Sequence, residues 1–183
     1  MTIHCEVPLL GFCAFSGTGK TTLLTRLIPL LRDEGLRLGV IKHAHHDFDI
    51  DHPGKDSRRL RESGAEQMLI ASRHRMAFIR ECRGPEREPR LAELLHCVDT
   101  DALDLVLVEG FKREPIPKIE LYRPSLGKPL IHAADRHVIA VASDAPINPV
   151  RDLPLLDLNR PEEIRDFVTE WMGAPAAARC LAG

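Results

Sequence analysis

The segment Leu9–Thr22 constrains this chain more than any other. Leu9–Phe15 is a short apolar run, suited to a buried strand. Lys20–Arg32 carries Leu23, Leu24, Leu27, Ile28 and Leu31 at helical spacing along one face. Between them, Ala14-Phe15-Ser16-Gly17-Thr18-Gly19-Lys20-Thr21 nearly fits the pattern G-x-x-x-x-G-K-[ST], with Ala14 in place of the first glycine. The backbone tolerates that departure if Ala14 keeps a negative φ. A strand, a glycine turn and a helix in that order make a phosphate cradle. Gly17 and Gly19 let backbone N–H groups turn inward, and the helix start aims its dipole at the same anion. Lys20 brings a point charge to the β- and γ-phosphates, and the Thr21 hydroxyl is a Mg²⁺ ligand. A chance glycine turn would explain the glycines but not their flanking strand and amphipathic helix. Ser16, Gly17, Thr18, Gly19, Lys20, Thr21 and Thr22 are therefore the candidate phosphate-binding residues.

The rest of the chain reads as alternating strands and helices. Pro29 removes one hydrogen bond and should kink the last turn of the first helix, and Gly35 ends it. Leu38–Lys42, Gln67–Ala71, Arg75–Arg80, Asp104–Glu109, Lys118–Tyr122 and Val138–Ala142 read as strands. Asp56 can cap a short helix through Ser63, stopped by Gly64. Pro89–Val98 reads as a helix with Pro89 at its first turn. In the last helix Asn159 is the expected cap, with Glu162 completing a capping-box-like arrangement. Its apolar face is Ile164, Phe167, Val168, Trp171 and Met172. This alternation predicts an α/β, P-loop NTPase-like three-layer fold with a largely parallel central sheet flanked by helices. One nucleotide-binding domain over residues 1–173 is expected, followed by a frayed tail at 174–183.

A Mg²⁺ site beside a phosphate loop also needs an acid at the end of a neighbouring strand. Glu109, closing Leu-Val-Leu-Val, stands there, and Gly110 lets the chain turn beside the γ-phosphate. Lys20, Thr21 and Glu109 are the candidate catalytic residues. Asp144, after the strand from Val138, is a candidate guanine reader, accepting from N1–H and N2–H₂. The asparagine and lysine of the usual N-K-x-D pattern are absent. His43, His45, His46, Asp47, Asp49, Asp51 and His52 crowd one short loop. Three uses are open to it: binding a transition metal, sensing Mg²⁺ and γ-phosphate as a switch, or holding an anionic substrate with Lys42, His43 and Lys55. A solvated loop is the plain alternative.

Composition closes off other classes. The net charge of −2 argues against nucleic acid as the main partner. The densest basic run, Arg58, Arg59 and Arg61, reads as a solvated helix face. Cys5, Cys13, Cys82, Cys97 and Cys180 are scattered and odd in number, which fits free thiols rather than a disulfide framework or zinc ribbon. With no apolar run long enough to span a membrane and no signal-peptide pattern, a cytoplasmic location is expected.

Several stretches together resemble one family. They are Phe15-Ser-Gly-Thr-Gly-Lys-Thr-Thr22, Ile41-Lys-His43, His45-His-Asp47, Pro53-Gly-Lys-Asp-Ser57 and Leu107-Val-Glu-Gly-Phe-Lys112. Their order and spacing are similar to the MobB family of molybdopterin-guanine dinucleotide biosynthesis, from about Leu9 to Met172. The resemblance implies a SIMIBI-class GTP-binding protein with weak GTPase activity, GTP and Mg²⁺ as ligands, and a homodimeric state. Thr21, Glu109 and Asp47 are the metal-ligand candidates. It further implies an adaptor that supports GMP attachment to molybdopterin, a transfer carried out by a MobA-like nucleotidyltransferase, with a molybdopterin-related ligand within its reach. Weak turnover agrees with the residues, since no water-positioning Gln or arginine finger declares itself; Arg58, Arg59 and Arg113 are at most anion contacts. Two other readings remain open here. One is a small-molecule kinase or ligase with Asp47 or Asp49 as base. The other is a nickel or zinc metallochaperone GTPase using the His/Asp loop.

Overall fold

The computed structural model of the protein describes residues 5–44, 48–52, 54–82 and 88–175. In chain order its elements are β1 (Leu9–Cys13), α1 (Lys20–Asp33), β2 (Leu38–Lys42), α2 (Asp56–Glu62), β3 (Gln67–Ala71) and β4 (Met76–Arg80). These are followed by α3 (Leu91–Leu95), β5 (Leu105–Glu109), β6 (Lys118–Tyr122), β7 (Val138–Ser143), β8 (Leu155–Asp157) and α4 (Pro161–Gly173). The chain divides into two compact units, Met1–His43 with Pro89–Gly183, and Ala44–Glu88.

The larger unit is built on a six-stranded sheet in the order β2-β5-β1-β6-β7-β8, with every pairing parallel. Parallel strands covered on both faces bury nearly every side chain. All five residues of β1 and of β5 are accordingly buried. Successive side chains go to opposite faces. Leu10, Phe12, Leu105 and Leu107 join one cluster with Leu23, Leu27 and Leu31 of α1 and Ile164 and Val168 of α4. Leu9, Val106 and Val108 join another with Leu91 and Leu95 of α3. The result is the expected three-layer α/β, P-loop NTPase-like fold.

Helix starts depart from the expected caps. In α4 the N-cap is Arg160 and Pro161 opens the helix. Pro at the first position sacrifices an N–H that has no helical partner and presets φ. Asn159 is held by a different local bond, its N–H donating to Asp157 Oδ1 at 2.8 Å. Glu163 rather than Glu162 turns back, accepting from the Asp157 N–H at 2.8 Å. Asp56 lies in the first turn of α2, behind the N-cap Lys55. Between Pro89 and Val98 only Leu91–Leu95 is helical, because Arg90 is extended and Cys97 N–H bonds one turn back to the Leu94 carbonyl. The expected tail lies largely outside the described residues.

The smaller unit pairs β3 with β4 as an antiparallel hairpin, beside α2 in the chain. Leu69 and Phe78 stand directly opposite each other, and Leu69, Met76 and Phe78 are all exposed.

A bidentate pair ties the starts of two neighbouring strands. Asp104 accepts from the Arg37 N–H at 2.8 Å, from Nε at 3.0 Å and from Nη2 at 2.8 Å. These side-chain bonds from Arg37, joined by its backbone N–H, hold the Asp104 pKa down from 3.8 to about 2. A depressed folded-state pKa adds stability above the unfolded value, and that stability is lost as pH falls toward the folded value. Asp104→Asn should therefore lower the melting temperature at neutral pH. The difference should shrink below about pH 4 and vanish only below about pH 2, a course checked by thermal denaturation across that range.

Candidate functional site

Parallel register assembles the site at the C-terminal edge of the sheet. Phe12 of β1 pairs with Glu109 of β5, and Lys42 of β2 pairs with Glu109 from the other side. The loop after β1 folds as its glycines dictate. Gly17 has φ +82° and Gly19 φ +100°, both in the region that favours glycine. Ala14 is not among the residues of positive φ, so the missing first glycine costs nothing there. Thr18 closes the turn, with its Oγ1 donating to the Phe15 carbonyl at 2.9 Å. Its side chain is buried within the loop. Gly19 caps α1 and no side chain bonds to that helix start, which leaves first-turn N–H groups for an incoming acceptor.

Of the candidate residues, Thr21 and Glu109 are in direct contact, and Lys20 lies within electrostatic reach of Glu109. Thr21 Oγ1 donates to Glu109 Oε1 at 3.3 Å. Lys42 Nζ lies 3.3 Å from Glu109 Oε2. Lys112 sets its ammonium 4.8 Å from the ring centre of Phe15, in the loop itself. Burial lowers the pKa of Lys20 below its usual 10.5, and the positive charge of Lys112 adds to this; Glu109 opposes it. Lys42 beside Glu109, with Lys20 and Lys112 at the loop, leaves an excess of positive charge, suited to a polyphosphate. Cys13, at the foot of the loop, is no nucleophile, because burial pushes its thiol up to about 12.

The segment after β5 is fixed from below. Gly110 has φ +97°, and a Cβ there would meet His43 Cβ at 2.7 Å. Its close approach is therefore to His43, whose ring stacks on Phe111 with centroids 5.0 Å apart. Sequence reasoning missed Lys118. Its side chain is 1% exposed, and Nζ donates to the carbonyls of Lys112 at 3.1 Å and Glu114 at 2.5 Å while pairing with Asp135 at 2.8 Å. Gly11 makes room for it: a Cβ there would lie 2.6 Å from Lys118 Cγ. Two charged residues, Lys118 and Glu120, in a strand of only five were the available signal.

Asp144 follows β7 on the same sheet edge. A cavity of about 370 Å³ opens beside it, lined by Ser143, Ala145, Pro146, Ile147 and Leu156 among others. Arg123, also missed, reaches both this acid and the phosphate loop. Nε donates to the Thr18 carbonyl at 2.8 Å, and Nη1 pairs with Asp144 Oδ2. Ser16 and Thr22 are exposed around the loop.

In the smaller unit, Arg61 faces three carboxylates: Asp49 at 3.1 Å, Asp51 at 3.5 Å and Glu81 at 2.5 Å. Arg58 pairs with Asp49 at 3.0 Å and Glu62 at 2.7 Å. Asp49 is held ionised, first by the Asp51 N–H and then by these arginines, which makes it a weak base. His45, His46 and Asp47, the last a metal-ligand candidate, lie outside the described residues. Among the described residues no group of three His, Cys, Asp or Glu side chains is placed to hold a metal ion. None of the described helices is long and apolar enough to cross a membrane.

The family described as molybdopterin guanine dinucleotide synthesis protein B matches residues 9–144, from the first strand to the acid after β7. The chain belongs to the MobB family. It is 54% identical over 167 residues to the molybdopterin-guanine dinucleotide biosynthesis adapter protein of Escherichia coli (strain K12), covering 91% of this chain and 94% of that protein. It is 46% identical to the protein of the same description in Haemophilus influenzae (strain ATCC 51907 / DSM 11121 / KW20 / Rd), covering 91% and 90%. A crystal structure of molybdopterin-guanine biosynthesis protein B superposes with a TM-score of 0.71 at 29% identity, over 91% of this chain and 99% of that one. The Bacillus subtilis MobB structure shares the fold, with a TM-score of 0.67 at 22% identity, over 89% and 96%.

The structural role of the buried Lys118 can be tested directly in this MobB-family protein. Lys118→Met keeps the aliphatic stem but leaves Asp135 and two carbonyls without their cation. Removing one partner of a buried pair should destabilise by about 3 kcal/mol, read from urea unfolding.

Proposed function

We propose that this protein is a GTP-binding adaptor in molybdopterin guanine dinucleotide biosynthesis, with weak Mg²⁺-dependent GTPase activity. The observation that carries the nucleotide reading is the convergence of Lys20, Thr21 and Glu109 on a glycine loop, with Asp144 and its cavity on the same sheet edge. The adaptor role follows the printed descriptions of the Escherichia coli and Haemophilus influenzae relatives. A MobA-like nucleotidyltransferase as partner, a molybdopterin-related ligand and a cytoplasmic setting complete the reading.

Each residue has a distinct task. The uncapped start of α1 receives the phosphates through its N–H groups. Lys20 neutralises charge on the terminal phosphate, and phosphate binding reverses the penalty that lowers its pKa. Thr21 and Glu109 offer hard oxygen donors 3.3 Å apart and would hold Mg²⁺. That ion, when bound, neutralises charge on the phosphate oxygens. Asp144 accepts from the guanine edge inside its cavity. Arg58 and Arg61 are occupied by Asp49, Asp51, Glu62 and Glu81, so neither is spare for the transition state. With no water-positioning Gln or arginine finger declaring itself in the sequence, slow turnover is expected. The homodimer forms through the exposed Leu69, Met76 and Phe78 of the hairpin, an apolar face of the sort that marks protein contacts.

Titration with fluorescent GDP and ADP analogues, with and without Mg²⁺, tests the nucleotide reading. Guanine preference that needs Mg²⁺ is expected, with Lys20→Ala weakening affinity about 10- to 100-fold, the worth of one charge-assisted contact. Adenine preference would move the assignment to a P-loop small-molecule kinase. Met76→Glu combined with Phe78→Glu should convert the dimer to monomer in light scattering; an unchanged mass would place the interface elsewhere.

A further inference from the structure

We propose that Arg123 couples base recognition to the phosphate loop and sets the preference for guanine. The inference rests on the guanine-nucleotide reading above. β6 ends at Tyr122, so Arg123 is the first residue beyond the strand, on the edge where β1 and β7 also end. Its guanidinium is a planar fork with donors in fixed directions. One arm, Nε, meets the Thr18 carbonyl at 2.8 Å, and another, Nη1, meets Asp144 Oδ2. Thr18 lies between two glycines of positive φ and is bonded inward to Phe15. Its carbonyl is therefore a fixed anchor. Asp144 lies beyond β7, in a loop, where its carboxylate would otherwise sample several rotamers.

The fork thus holds the acid at a set distance from the phosphate cradle, beside the cavity lined by Ala145, Pro146 and Ile147. A carboxylate offers about four lone-pair sites. Oδ2 held by Arg123 leaves capacity for the two adjacent donors of guanine. Adenine presents an unprotonated ring nitrogen beside one amino group, and a fixed carboxylate repels that nitrogen. Discrimination of this kind depends on the acceptor being held in place. Arg123 is a positioning residue: it acts on the base through Asp144.

The test compares binding of GDP, ADP and inorganic tripolyphosphate to the wild type and to R123A, R123K, D144N and the R123A/D144N double variant. R123A is expected to lower the GDP-over-ADP preference about tenfold, the worth of one well-placed hydrogen bond. Tripolyphosphate, which has no base to read, should lose less affinity than GDP does, since Lys20 and the Thr18–Phe15 turn remain while one cation bonded to the loop is removed. R123K keeps the charge without the fork and should lose preference as well; it carries the test if R123A does not fold. The double variant should discriminate no worse than D144N alone, because both changes remove one device. A guanine-selective wild type whose preference survives R123A overturns this inference alone. Tighter GDP binding by R123A also overturns it, since the pair would then be blocking the base. Independent, additive losses in the double variant do the same. A wild type that binds nucleotide without guanine preference overturns the guanine reading and this inference with it.

Discussion

The parallel pairing of β5 between β1 and β2 is the constraint on which the rest depends. It places Glu109 between Phe12 and Lys42 in register, and the loop leaving β1 then has to pass beside the carboxylate. Thr21 reaches it from the first turn of α1. A slip of one residue in this pairing would turn Glu109 to the opposite face of the sheet and bring Val108 to the edge. The buried faces forbid that slip. Leu105 and Leu107 belong to the cluster under α1 and α4, while Val106 and Val108 belong to the cluster under α3. Core packing and site geometry are therefore set by the same alternation.

Charge is distributed around that frame with a division of labour. Lys42 pairs with Glu109, and Lys20 interacts with both Glu109 and Lys112, so positive charge collects at the loop. Lys118 is chemically the same residue but lies in the interior, tied to Asp135 and to carbonyls of the loop after β5. Its ammonium replaces water in a place where those carbonyls would otherwise be unsatisfied. Gly11 and Gly110 allow these close approaches: the first admits the lysine stem, the second admits His43. In the smaller unit the arginines and acids neutralise one another, so its charge is spent locally.

Much of this was legible in the sequence. Strand-glycine-helix order around Lys20, and an acid closing the strand Leu105–Glu109, are local signals with a mechanism. Periodicity also located Leu38–Lys42, Gln67–Ala71 and Lys118–Tyr122. Helix starts were less legible, because Asn159 and Asp56 are good caps in isolation. A proline two positions on and an Asp157 carboxylate competing for the Asn159 N–H moved the boundary of α4. β8 was missed since it is only three residues long, and pairing rather than pattern makes it a strand. Arg123 and Lys118 escaped notice for one reason. Their partners, Thr18, Asp144 and Asp135, are distant in sequence and are brought near only by strand order.

Central to the account is that the loop Ser16–Thr22 receives the phosphates of a nucleotide whose base lies against Asp144. Backbone amide chemical shifts of isotopically labelled protein, followed while GDP and Mg²⁺ are added, test this most directly. The account predicts the largest changes at Gly17–Thr21, with a second group at Asp144–Ile147. Saturable binding that leaves the loop amides unmoved, or moves only those of another surface, would contradict it.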